Sequence, residues 1–141
     1  MASFVYQRLK RELVDAGIDW AADTFKVALL SNLYSPDQDG DDYFSEVSTY
    51  EISGAGYTAG GETLSSKTVT DDDANNEVES DAGDVSWTGL TGSFRYAVLY
   101  KDTGTESTSP LLFLLDFGAT QTASADDVSI QWNSEGVFKL T

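Results

Sequence analysis

The chain reads as mainly β: a single-domain antiparallel β-sandwich, with a jelly roll as one candidate topology, carrying one N-terminal α-helix. Three observations predict this. After residue 24, short apolar segments alternate with a period of two, the spacing of strands with one buried face. Turn-forming Gly, Asp, Asn and Ser separate them at short intervals. Apolar spacing of the helical kind appears convincingly once, near the N-terminus. With 141 residues the chain has the usual size of one domain and can bury a core without staples. No linker or internal repeat interrupts it. Residues 1–141 are therefore expected to form one unit, a helical and basic segment 1–17 followed by a β-rich body 24–141.

The helix rests on FVYQRLKRELVDAG (4–17), where Val5, Leu9 and Leu13 share an edge and Phe4 and Val14 flank it. Ser3 is the candidate N-cap and Gly17 the candidate stop. In TFKVALLS (24–31), Phe25, Val27 and Leu29 fall on one face and Lys26 and Ala28 on the other. SNLYSPDQDGDD (31–42) is a loop broken by Pro36 and Gly40, and YFSEVS (43–48) has the length of one helical turn. Tyr50 and Ile52 alternate as in a short strand. GAGYTAGG (54–61) then supplies glycine turns before the strand-like TLSSKTVT (63–70). DDDANNEVESDAGD (71–84) is acidic and turn-rich around one candidate short strand. Val85 and Trp87 alternate in DVSWTGL (84–90). FRYAVLYKD (94–102) gives the strongest strand signal, with Phe94, Tyr96, Val98 and Tyr100 on one face and Arg95, Ala97, Leu99 and Lys101 on the other. LLFLLDF (111–117) is apolar on both faces, which places it centrally in the core. DVSIQWN (127–133) turns Val128, Ile130 and Trp132 inward, and GVFKLT (136–141) is a final strand.

Composition narrows the chemistry. There is no cysteine and no histidine, so thiolate nucleophiles, histidine-based triads and Cys or His metal sites are excluded from this chain. The formal charge is −16, from 24 acids and 8 bases. Such a surface repels a phosphate backbone, so no nucleic-acid partner is expected. It favours dispersal and suits work at high salt, where repulsion is screened. The charge is uneven: Arg8, Lys10 and Arg11 are three of the 8 bases, and residues 1–11 contain no acid. The two ends are thus expected to meet different partners. No apolar run is long enough to span a bilayer, and the basic N-terminus lacks the apolar stretch of a secretory signal, so no membrane association is expected.

Spacing separates the candidate sites from chance matches. Gly54 and Gly56 match the start of a dinucleotide-binding fingerprint, but the third glycine, Gly60, comes one position late and a strand-like segment follows. Glycine turns between strands explain the stretch better. DQDGDD (37–42) concentrates carboxylates as a calcium loop does, but on an EF-hand alignment Asp42 stands at the glycine position and Ser48 at the final glutamate position. A carboxylate pair for glycoside hydrolysis is uninformative among so many acids. No catalytic, cofactor-binding or metal residues are assigned, and no enzymatic activity is expected. Trp87, Tyr96, Tyr100, Phe113, Phe117 and Trp132 alternate within strands and are core residues first. Tyr34, Tyr43 and Tyr57 lie in loops; Tyr34 and Tyr57 are the candidate exposed contacts and would serve a glycan-binding module. The candidate docking residues are Phe4, Tyr6, Arg8, Lys10 and Arg11 of the basic segment.

Several blocks, in this order, carry a resemblance: the N-terminal helix followed by IDWAADTFKVALLS (18–31), YSPDQD (34–39), EISGAGYTAGG (51–61), VSWTGL (85–90), RYAVLYKDTGTESTSPLL (95–112), LDFG (115–118) and IQWNSEGVFKLT (130–141). On these the chain resembles a group of tailed-bacteriophage virion structural proteins. The resemblance implies a non-enzymatic particle component without cofactors, assembled in the host cytoplasm into the virion. A capsid decoration, or cement, protein is the leading expectation, with the major capsid protein and copies of itself as partners in a homo-oligomer. A tail, connector or fibre-base component is the alternative, for which the acidic 71–84 segment is the candidate arm. Under the decoration reading, removal of residues 1–11 should leave a folded body that no longer docks.

Overall fold

The computed structural model describes residues 3–141. In chain order the elements are β1 (Phe4–Val5), α1 (Gln7–Val14), β2 (Phe25–Leu30), β3 (Glu62–Thr63), β4 (Thr68–Asp72), β5 (Glu77–Asp81), β6 (Val85–Lys101), β7 (Leu111–Ile130) and β8 (Phe138–Leu140). Single 3-10 turns at Phe44–Glu46, Ser48–Tyr50 and Glu106–Thr108 punctuate the loops. The strands form two antiparallel sheets, in the orders β1-β7-β6-β2-β3 and β4-β5-β8. The mainly β fold with two sheets and one helix agrees with the sandwich expected from the alternation.

The segments DVSWTGL and FRYAVLYKD are parts of one 17-residue strand, β6, and LLFLLDF continues through residue 130 as the 20-residue β7. β6, not β7, is the middle strand of the five. Their pairing shifts register between Trp87 and Leu90, Leu90 and Gly92, and Phe94 and Tyr96. A bulge lets a strand remain paired while bending and turning its side chains to the other face. This corrects the expected stripe: Phe94 packs with Ala97 and Leu99, whereas Tyr96, Val98 and Tyr100 pack on the opposite side.

The part of the larger sheet built from β2, residues 96–101 of β6 and residues 111–115 of β7 is buried on both faces, whereas most of β7 from Phe117 to Ser129 is exposed. On one face Phe25, Val27, Leu29, Leu99 and Leu112 meet Leu9 of α1, Trp20, Trp87 and, at the margin, Phe138 of the smaller sheet. On the other, Ala28, Leu30, Val98, Leu111 and Leu114 are roofed by Tyr6, Tyr34, Phe44 and Val47. Burying both faces explains why LLFLLDF is apolar throughout.

The N-terminus differs from its expected form. Phe4 and Val5 are extended and pair with Leu114 and Phe113 of β7, so the helix begins only at Gln7, with Tyr6 rather than Ser3 at its N-cap. Ser3 instead accepts the Asp116 amide on its Oγ, at 2.8 Å. The aromatic and β-branched pair FV completes the sheet edge, where such residues gain more from packing than from a helical turn. At the other end Ala16, not Gly17, takes the left-handed conformation (φ 58°). Val14 is left 85% exposed. Tyr50 likewise lies in a 3-10 turn rather than a strand, and only Glu51 forms a bridge to Leu30.

The glycine stretch is a clamp against the backbones of β2 and β6. A Cβ on Gly61 would sit 1.8 Å from the Val27 carbonyl oxygen, and one on Gly56 would sit 2.6 Å from that of Gly89. Both glycines also have positive φ, 84° and 78°. Close approach and left-handed backbone together require glycine. Gly61→Ala should therefore cost about 2–4 kcal/mol in denaturant unfolding, against about 1 kcal/mol for Gly104→Ala, which has positive φ but open space around it. Equal costs would show that no clamp is present.

Candidate interaction surface

The expected docking segment is largely built into the body. Tyr6 is fully buried, corrected from its expected exposure. Its hydroxyl lies 2.9 Å from that of Tyr34, which donates to Asp41. Phe4 is half-buried, edge-on to Tyr6 at 5.0 Å. Arg8 lies over the Tyr43 ring, 4.6 Å from its centroid, and pairs with Glu12 at 2.5 Å. Lys10 and Arg11 are exposed, Arg11 pairing with Asp15. Residues 4–11 thus supply a strand and the buried Tyr6 and Leu9, so their removal would disturb folding as well as docking. The expectation of an intact body after deletion of 1–11 does not stand; Met1 and Ala2 lie outside the described residues.

The two loop tyrosines are also corrected. Tyr34 is only 4% exposed and packs edge-on against Tyr96 at 5.6 Å. Tyr57 is half-buried, stacks on Trp87 and accepts the Leu29 amide at 3.1 Å. An aromatic ring gains most from burial when its hydroxyl can keep a partner, and both tyrosines have one. Burial also raises the pKa of Tyr6, Tyr34 and Tyr57, leaving them neutral donors.

Glu51 ties this region together. Its carboxylate accepts the Gly60 amide at 3.0 Å and the Tyr57 hydroxyl, while Tyr100 donates to the Gly60 carbonyl at 2.6 Å. Burial pushes the Glu51 carboxyl above its ordinary range, and these two donors offset part of the rise. The acidic loop 37–42 is spent locally in the same way. Asp37 accepts the amides of Asp39 and Gly40, Asp41 that of Asp37, and Glu46 those of Asp42 and Tyr43. Among the described residues no three acidic groups cluster as metal ligands would.

The acidic 71–84 segment contributes to a hairpin. β4 and β5 pair from Thr68↔Asp81 to Asp72↔Glu77, and Asp72 caps the turn by accepting the Ala74 and Asn75 amides. The register assigns Val69, Asp71, Val78, Ser80, Phe138 and Leu140 to one face of the smaller sheet. At its inner end that face is anchored, with Phe138 edge-on to Trp20 at 5.3 Å. At its outer end it is open: Val69 and Leu140 are each 52% exposed and Val78 36%. The opposite face carries Thr70, Asp72, Glu77, Glu79 and Lys139, with Lys139 pairing to Glu77 at 3.2 Å. The feature is an arm with one apolar side and an acidic tip. Sequence reasoning found its acidity but not its apolar stripe, because three apolar residues on three strands share a face only once the register is known.

No family model, curated protein or solved structure matches this chain.

Two outcomes test the buried polar lock. Tyr34→Phe removes a buried donor to Asp41 and should cost about 1–2 kcal/mol in denaturant unfolding; no loss would mean the hydroxyl is replaceable by water. The folded pKa of Glu51 lies above its unfolded value, so its stabilising contribution is complete below the unfolded carboxylate pKa and is lost as pH rises through the folded one. Glu51→Gln removes that titration. Relative to the wild type, the variant should fare better at about pH 7 than at about pH 4 in thermal melts; a difference independent of pH would contradict the assignment.

Proposed function

We propose that this chain is a non-enzymatic structural protein of a tailed-phage particle, a capsid decoration protein that seats on the outside of the head and associates with copies of itself. The observation that carries the reading is where the resembling blocks fall. IDWAADTFKVALLS contains β2, EISGAGYTAGG is the glycine clamp, RYAVLYKDTGTESTSPLL spans the turn joining β6 and β7, and IQWNSEGVFKLT runs into β8. The resemblance therefore tracks the load-carrying frame of the fold rather than one local motif. The charge of −16 suits an outward face that keeps particles dispersed.

A tail or connector role is the second reading, and the arm formed by β4 and β5 favours it, since a polymerising tube subunit needs such a projection. The glycan-binding reading loses its support with the burial of Tyr34 and Tyr57.

Copy number separates the two particle readings. Quantitative mass spectrometry of purified virions should find this chain in numbers comparable to the major capsid protein if it decorates the head. A few copies per particle would transfer it to the tail or connector, and absence from virions would overturn both.

A further inference from the structure

We propose that this chain holds a small uncharged apolar molecule, the size of a medium-length aliphatic chain, in the cleft between β7 and the 131–137 segment. The site is independent of any place in a particle. It depends on how the two sides of the cleft are built.

The cleft has a volume of 380 Å³. Its floor is Val27 and Leu99, both buried in the main core. One wall is Val5 of β1 with Phe113 and Leu115 of β7, and the other is Trp132 and Val137. All five wall residues pack against that core yet are only half-buried. Large apolar side chains left short of full burial around one hollow mark a binding site more than scattered exposure does. Among the described residues none that borders the cleft is charged, on a chain with 24 acids and 8 bases. The exposed residues at its mouth, Ser3, Gln131 and Asn133, are polar and neutral. A charged group drawn inside would lose water and gain no partner, so the occupant is uncharged.

The outer wall is held away from β7 by its own anchors. The Trp132 amide donates to Asp84 Oδ1 at 3.1 Å, and its indole Nε1–H to the Gly83 carbonyl at 3.0 Å. The Val137 amide donates to the Ser80 carbonyl at 2.7 Å. Gly136 presses on that same carbonyl, where a Cβ would come within 2.7 Å, and its φ of 108° also favours glycine. These contacts tie the segment to β5 and to residues 83–84, and closing it onto β7 would break them. The hollow is therefore preformed, as small-molecule sites usually are. Its walls offer no free side-chain donor, because the Trp132 Nε1–H is already engaged, so the lining suits hydrocarbon better than a sugar. An apolar cavity of about 150 Å³ takes one benzene, so 380 Å³ has room for about ten carbon atoms or more.

The test titrates the full chain with decanol and follows the backbone amides by two-dimensional NMR, with circular dichroism to confirm that each variant folds. Wild type should bind decanol saturably, with shifts centred on residues 113–115 and 131–137. Decanoate, ionised at about pH 7, should bind at least about tenfold more weakly, because its carboxylate meets no base at the mouth of an acidic chain. Val137→Trp and Leu115→Trp each fill the hollow, and each should weaken decanol at least about tenfold. Phe117→Ser lies outside the cleft and should bind like the wild type. Absence of saturable binding, shifts centred elsewhere, or decanoate bound as tightly as decanol would each overturn the proposal. So would a folded filling variant that binds decanol like the wild type. Should either filling variant fail to fold, the shift map and the decanoate comparison on the wild type still decide.

Discussion

The pairing of β6 with β7 is the constraint on which the other elements depend. β2 pairs along β6 from Phe25↔Lys101 to Leu30↔Tyr96, and β1 pairs along β7. Both cores draw on these two long strands. The bulges between Trp87 and Tyr96 decide which side chains reach which core. A slip of one residue would exchange the faces, sending Val98 and Tyr100 where Ala97 and Leu99 now pack. The hydrogen-bonded ladder alone does not fix this register. The side chains of 96–100 do, since Ala97 and Leu99 fill one core and Tyr96, Val98 and Tyr100 the other.

Around that frame, polar groups are used to hold loops rather than to form a reactive centre. The glycine stretch lies against β2 and β6 because two of its residues lack a side chain where backbone oxygens approach. Glu51, Tyr57 and Tyr100 then fasten it by hydrogen bonds to the Gly60 and Leu29 backbones. Tyr6, Tyr34 and Asp41 do the same for the 31–50 loop over the second core. In the loop that resembled a calcium site, Asp37 and Asp41 are occupied by backbone amides.

Much of the frame was legible in the sequence because alternation reports burial directly. Phe25, Val27 and Leu29 share a core as their spacing indicates, and Val128, Ile130 and Trp132 face inward as expected. Phe94 escaped the pattern because a bulge leaves no mark in a period-two count. Tyr34 and Tyr57 escaped because a tyrosine in a loop does not say whether the loop folds over a core. The arm's apolar side was hidden for a related reason: Val69, Val78 and Leu140 are far apart along the chain and meet only through strand pairing. The N-terminal helix began late because two residues with strand propensity stand where a β7 edge was open.

A frame whose smaller sheet leaves Val69, Val78 and Leu140 open at its outer end is compatible with the proposed particle role. Hydrogen exchange read by mass spectrometry, comparing the isolated protein with the particle-bound form that the proposed function requires, tests that proposal most directly. The amides of β6 and of residues 111–116 should exchange slowest in both states, whereas residues 68–81 should gain protection only in the particle. Equal exchange of residues 68–81 in the two states would contradict the account.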